Sequence, residues 1–119
     1  MHSSNRDLRL STTAPCDLRT TALVTNLVTS AADTASIGID RLADLQTALF
    51  ESFVDLVESV EAESVQVVVT RTDTAMTVRL AAVEPDWIGT PSFLVRRVLD
   101  TLADRVSTAD GAIEFRFHA

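Results

Sequence analysis

The sequence contains no lysine: all ten basic residues among its 119 positions are arginines. This absence excludes every mechanism that needs a lysine amine, including a phosphate-binding P-loop lysine, a Schiff base and a serine–lysine dyad. Only three glycines are present, so glycine-rich loops that cradle phosphates are scarce. Cys16 is the sole cysteine. An internal disulfide and a cysteine-rich zinc site are therefore excluded as well.

Basic residues are fewer than acidic residues in this chain. Seventeen acidic residues against ten basic ones give a formal net charge of −7 at pH 7, which disfavours direct binding to nucleic acid or to an anionic membrane. No run approaches 18 apolar residues and the first ten residues contain no apolar signal segment, so we expect a cytoplasmic protein. The length suits one domain: we expect residues 1–6 to be frayed and 7–119 to form a single domain.

The hydrophobic pattern predicts four strands and three helices. Alternating apolar and polar residues, the signature of a strand with one buried face, occur at about 7–13, 65–70, 76–82 and 113–117. Apolar residues spaced by three and four, the signature of an amphipathic helix, occur at about 17–32, 40–61 and 90–106. The order is β-α-α-β-β-α-β. Because such one-sided helices need a sheet to cover, we expect an α+β two-layer sandwich: a mixed, mostly antiparallel sheet with three helices on one face.

The central predicted helix carries an acidic strip. Glu51 and Asp55 are four residues apart, so they project from the same side of the helix, away from its apolar line. Asp40, Asp44 and Glu58 flank this pair. One interpretation is a solvated helix face; the other is a carboxylate pair that holds a hard cation or acts as a general base beside one. The spacing alone does not separate the two.

Two segments resemble a known family. Residues 39–57, IDRLADLQTALFESFVDLV, look like the second helix of the anti-sigma factor serine kinases (RsbW-like), which belong to the ATPase superfamily that includes histidine kinases and DNA gyrase. In that family this helix carries the N box, Glu-x-x-x-Asn, in a similar hydrophobic frame. Residues 92–117, SFLVRRVLDTLADRVSTADGAIEFRF, resemble the family's last helix, turn and closing strand. The resemblance spans Leu8 to Phe117 in order and pattern and implies a Bergerat-like ATPase fold.

The resemblance assigns roles to four positions. Glu51 falls on the N-box glutamate, the base in phosphoryl transfer, and Asp55 falls on the asparagine that binds magnesium. Ala82 lies near the position of the carboxylate that reads the adenine amino group. Gly89 lies where the family has its glycine-rich lid, and here a proline, Pro91, stands two residues later. Because the backbone cradle for a triphosphate is missing, the resemblance implies a degenerate site without a cofactor; ATP and Mg²⁺ bind only if the site still functions.

The function implied by the resemblance is regulatory. Members of this family hold a sigma factor in a complex and release it when an anti-anti-sigma protein of the STAS fold binds. We therefore expect an anti-sigma-factor-like protein that acts by partner switching, with a sigma factor and a STAS protein as partners. We also expect a homodimer formed through the N-terminal half, and no nucleic acid or membrane partner.

Two alternatives remain open at this point. One is an active ATP- and Mg²⁺-dependent protein serine kinase that phosphorylates the STAS protein, with Glu51 and Asp55 in their family roles. The other is an α+β dimer that shares only the architecture and binds an unrelated small ligand.

Other conspicuous residues carry weaker signals. Trp87 is interpreted either as a plug that fills the nucleotide space or as an exposed contact for a partner. The position of Cys16 just before a helix favours a lowered thiol pKa, but no paired histidine makes it a nucleophile. Four charged residues on the last predicted helix are interpreted as a solvated face with (i, i+4) pairs: Arg96, Arg97, Asp100 and Asp104.

Overall fold

The computed structural model describes residues 8–33, 39–59, 62–72, 74–83, 92–109 and 112–118. These residues form an α+β fold of five strands and three α-helices, with one 3₁₀ turn before the first helix. In chain order the elements are β1 (Leu8–Pro15), α1 (Thr21–Asp33), α2 (Ile39–Ser59), β2 (Ser64–Arg71), β3 (Ala75–Ala82), α3 (Phe93–Leu102), β4 (Arg105–Ala109) and β5 (Ala112–His118). The prediction that residues 1–6 are frayed lies outside the described residues.

The five strands form one open sheet in the order β1-β2-β3-β5-β4. All four neighbouring pairs are antiparallel, so the expectation of a mixed sheet is wrong for the described strands. The predicted hairpin of β2 and β3 is confirmed. Strands β1 and β4 are the two edges of the sheet.

The last helix is shorter than predicted. The spacing predicts a helix to about 106, but α3 ends at Leu102 and β4 begins three residues later. Val106 lies one helical turn beyond Leu102, so its apolar side chain fits a helical period, but in the structure it pairs with Phe115 across β4 and β5. The polar residues that alternate with it suit a strand equally well. The element order is therefore β-α-α-β-β-α-β-β, with one strand more than predicted.

A single hydrophobic core joins the helices to one face of the sheet. Its fully buried members from α2 and the three central strands include Leu45, Leu49, Phe53, Leu56, Val67, Val69, Val78, Leu80, Ile113 and Phe115. The predicted apolar line of the central helix is thereby confirmed from Leu42, which packs at the margin, to Leu56. In the described residues, no helix is long and apolar enough to span a membrane.

Candidate functional site

The polar side of α2 meets the start of α3. Asp55 is partly buried, and its Oδ2 accepts a hydrogen bond of 3.0 Å from the backbone N–H of Ser92. Ser92 is the N-cap of α3, and its Oγ accepts a 3.4 Å hydrogen bond from the N–H of Val95. The first N–H groups of a helix lack partners within the helix and carry partial positive charge. The Asp55 carboxylate therefore stabilises the N-terminal end of α3.

Glu51 lies one turn before Asp55 on the same side of α2, and its side chain is also partly buried. The structure thus brings together the two carboxylates that the spacing predicted to share a side. They differ in their contacts, however. Asp55 accepts a hydrogen bond from the start of α3, whereas Glu51 has no hydrogen-bond partner among the described residues.

A shallow groove of about 350 Å³ lies between Thr47 of α2 and the second half of α3. Thr47, one turn before Glu51, lines it from α2, and Arg97 and Leu102 are among the residues that line it from α3. The Arg97 guanidinium lies 5.7 Å from the centre of the Phe93 ring, a cation–π contact that holds it along α3. The groove is mostly apolar and its lining includes one positive group.

The resemblance also assigns roles to Ala82 and Gly89, and of these two only Ala82 lies within the described residues. Ala82 is the last residue of β3, pairs with Val65 and packs against the core. Its methyl group has no hydrogen-bonding atom, so this side chain cannot read an adenine amino group. Gly89 and Trp87 lie outside the described residues.

The donor set for a metal ion is small. In the described part of the chain, no group of three or more histidine, cysteine, aspartate or glutamate side chains is placed to hold a metal. Magnesium is commonly held by one or two carboxylates together with phosphate oxygens. Glu51 and Asp55 are the carboxylates available for that here, and one oxygen of Asp55 already accepts the Ser92 N–H.

An arginine that the sequence reasoning did not single out joins α2 to the other end of α3. Arg41 donates hydrogen bonds to Asp44 at 3.0 Å, to Asp104 at 2.7 Å and to the Leu102 carbonyl at 2.9 Å. Its guanidinium carbon also lies 4.7 Å from the centre of the Phe117 ring. Through these contacts Arg41 connects α2 to the turn after α3 and to β5. Its only sequence signal is an arginine in the first turn of the acidic helix, which does not identify these distant partners.

Asp104 is the acceptor at the centre of this contact. It also accepts a 2.7 Å hydrogen bond from the backbone N–H of His118. That bond first, and the Arg41 guanidinium second among the favourable contacts, lower the pKa of the Asp104 carboxyl. The expectation that Asp104 lies on a solvated helix face is wrong, because α3 ends before it. The predicted Arg96–Asp100 pair is confirmed, with the two side chains 3.1 Å apart.

The pKa of Cys16 lies above its ordinary value, whereas that of its neighbour Asp17 lies below it. Partial burial raises the pKa of the Cys16 thiol, and this effect outweighs the hydrogen bond with the Ala62 backbone; the expectation of a lowered thiol pKa is therefore wrong. Asp17 caps the short 3₁₀ turn, and hydrogen bonds from the Arg19 side chain and backbone lower its pKa to about 2. These two pKa shifts do not identify either residue as reactive.

A second groove, of about 370 Å³, lies between edge strand β1 and helix α1. Thr12 and Ala14 line it from the strand, and Leu23 and Leu27 line it from the helix. Leu23 is 65% exposed, so this groove presents a large apolar side chain to the surface.

Comparison of the chain with protein-family models and with curated proteins finds no match.

Proposed function

We propose that the protein is an anti-sigma-factor-like regulator that acts by partner switching. It holds a sigma factor and releases it when a STAS-type anti-anti-sigma protein binds. Two partners that share overlapping surface exclude each other, so their concentrations and affinities decide which one is bound. The proposal rests on the resemblance of α2 and of the α3–β5 region to the anti-sigma factor serine kinases and on a Bergerat-like interpretation of the α+β fold. Such a protein works in the cytoplasm, where sigma factors act.

The hydrogen bond from the Ser92 N–H to Asp55 is the observation that carries the second part of the proposal, the absence of ATP turnover. Asp55 stands where the family has its magnesium-binding asparagine. Here its carboxylate stabilises the first turn of α3, which is a structural role. This use of the side chain supports a site that has lost its catalytic metal.

The charge of the site supports the same conclusion. Glu51 and Asp55 place two carboxylates on one side of α2, and neither forms an ion pair with a described arginine. A nucleoside triphosphate brings several further negative charges to this surface. Without a lysine in the chain, and with a proline in the segment that replaces the glycine-rich lid, the repulsion is not offset by the usual phosphate-binding groups.

A homodimer formed through the N-terminal half is part of the proposal. Strand β1 is an edge of the sheet, and an edge strand offers unpaired backbone groups to another chain. The groove beside it exposes Leu23 from α1. Strand and groove together give a second copy both hydrogen-bonding and apolar surface.

The test uses the full chain with the purified sigma factors and STAS proteins encoded in the same genome. We expect one sigma factor to bind and one STAS protein to displace it in the absence of nucleotide, as measured by size-exclusion chromatography and fluorescence anisotropy. Displacement that requires Mg²⁺-ATP and leaves phosphoserine on the STAS protein would establish the kinase alternative instead. Failure of every sigma factor to bind would overturn the proposal.

Nucleotide binding is tested separately by isothermal titration calorimetry. We expect no heat from millimolar ATP with Mg²⁺, either for the natural chain or for Asp55→Asn, which restores the family's asparagine. Mg²⁺-dependent binding by the natural chain that disappears in Asp55→Ala would contradict the degenerate site. The asparagine variant is the matched control, because it keeps an oxygen acceptor at the same position.

A further inference from the structure

On the face of the sheet that points away from the core, the neighbouring strands β3, β5 and β4 carry three arginines. Arg105 of β4 pairs directly with Arg116 of β5, and in the next row Glu114 of β5 pairs with Arg79 of β3. Paired residues of an antiparallel sheet point to the same side. Phe115, which alternates with Glu114 and Arg116, is fully buried in the core, so these four charged residues point outward. We call Arg79, Arg105, Arg116 and Glu114 the arginine face.

The arginine face has excess positive charge in an acidic protein. Like charges directly opposite each other in a sheet destabilise it, and Arg105 and Arg116 are such a pair. None of the three arginines of this face forms an ion pair with a described carboxylate, whereas Arg41 and Arg96 do. Three guanidinium groups against one carboxylate leave a local surplus on a chain of net charge −7.

One of these guanidinium groups has a buried donor without an acceptor. Nε of Arg116 is shielded from solvent and has no hydrogen-bond partner among the described residues. A buried donor without an acceptor is destabilising. The arginine pair therefore combines two unfavourable features, and an incoming anion would relieve the repulsion between its two guanidinium groups.

A polar cleft of about 190 Å³ lies at this pair, lined by Arg105, Ser107, Glu114, Phe115 and Arg116. The hydroxyl of Ser107, in the row next to the arginine pair, is a further donor for an anionic group. Planar guanidinium groups match carboxylates through paired hydrogen bonds. The cleft thus has the donors and the charge for a carboxylate side chain.

We propose that the arginine face is a docking surface for an acidic segment of a partner protein, whose aspartate or glutamate carboxylates pair with Arg105, Arg116 and Arg79. The proposal concerns a different surface from that of α2 and α3 and does not depend on the proposed function. Protein is favoured over nucleic acid because sheets that bind single-stranded RNA stack bases on exposed aromatic rings. In the described strands Phe115 and Phe117 are buried in the core, and no phenylalanine points outward.

The test measures binding of a fluorescein-labelled decapeptide of alternating glutamate and threonine, in which the carboxylates of an extended strand share one side. We expect the full chain to bind it in low salt and to lose affinity as salt is added. The double variant Arg105→Gln and Arg116→Gln should lose at least tenfold in affinity. A control double variant, Arg19→Gln and Arg96→Gln, removes the same charge elsewhere and should stay within twofold.

The proposal would be overturned by no binding of the glutamate peptide at millimolar concentration, by an equal loss in both double variants, or by tighter binding of an oligonucleotide of the same charge. Concentration-dependent self-association that Arg105→Gln abolishes would also overturn it, because the occupant would then be a second copy.

If the double variant does not fold by circular dichroism, Arg105→Lys replaces it. That variant keeps the charge but loses the planar fork, and it should lose several-fold in affinity; an unchanged affinity would contradict the carboxylate geometry. Peptide-induced NMR shifts should map to β4 and β5.

Discussion

The two sides of helix α2 differ in what they contribute to the molecule. One side is fully buried and consists of leucine and phenylalanine side chains that are at most 1% exposed: Leu45, Leu49, Phe53 and Leu56. The other side carries Arg41, Asp44, Glu51 and Asp55, all partly buried. The apolar side provides packing area, which is non-directional. The polar side provides directional contacts at the two ends of the helix, to the turn after α3 and to the start of α3.

The largest effect is expected from the buried side. Leu49→Ala should destabilise the fold by about 2–5 kcal/mol, because it removes transfer free energy and leaves a cavity beneath the sheet. Urea unfolding followed by circular dichroism measures this change. Thr47→Ala on the exposed part of the same helix is the control and should change stability by less than about 0.5 kcal/mol. A loss at position 49 no larger than the control would contradict the assignment of this side as core.

The sequence was sufficient to predict this buried side, because a period of three and four residues reports directly which side of a helix is apolar. The β2–β3 hairpin was predicted for the same kind of reason. The end of α3 was not, since Leu102 and Val106 keep helical spacing and only the pairing of Val106 with Phe115 reveals a strand. Local pattern carries no information about a strand partner that follows later in the chain.

In the candidate site, too, the sequence spacing predicts the local arrangement but not the contacts between distant residues. The spacing of Glu51 and Asp55 predicted that they share one side of a helix, and the structure agrees. The bond from Ser92 to Asp55 joins residues 37 apart, and the bond from Arg41 to Asp104 joins residues 63 apart. Such contacts depend on how the helices pack, so composition and period do not predict them.

The next largest effect is expected at Arg41. Arg41→Ala removes two ion pairs, a carbonyl hydrogen bond and the contact with Phe117. Because the side chain is about a third exposed, solvent screens part of this energy, and we expect a loss of about 1–2 kcal/mol. A double-mutant cycle with Asp104→Asn should give a favourable coupling. Strictly additive effects of the two substitutions would contradict a direct contact in solution.

The same contact predicts a dependence of stability on pH. The pKa of Asp104 in the folded protein lies below its ordinary value of 3.8, so the group contributes stability above about pH 4 that is lost as the pH falls through the folded pKa. Thermal unfolding from pH 7 to pH 2 measures this effect. The difference in stability between the natural chain and Asp104→Asn should be greatest above pH 4 and shrink towards pH 2. A difference that stays constant would show that Asp104 is not stabilised in its charged form.

A smaller effect is expected at Asp55. Asp55→Ala removes the acceptor for the Ser92 N–H and should destabilise the protein by about 0.5–1 kcal/mol, the usual range for a contact at a helix N-terminus. Asp55→Asn keeps an oxygen acceptor and should lose less. Hydrogen exchange at the Ser92 amide is the local readout. Unchanged exchange in the alanine variant would mean that the bond does not persist in solution.

The smallest effect on stability is expected at Glu51, and this variant tests whether the carboxylate has a catalytic role. Because this carboxylate has no hydrogen bond or ion pair among the described residues, Glu51→Gln should change the free energy of unfolding by less than about 0.5 kcal/mol. If partner switching involves no phosphoryl transfer, this variant should also bind and release its sigma factor like the natural chain, measured by anisotropy with the STAS protein as competitor. A glutamate that served as a base would respond differently: release would fail while stability and sigma-factor affinity stayed intact. That separation of release from folding and binding is what distinguishes a vestigial carboxylate from a catalytic one, and packing alone cannot imitate it.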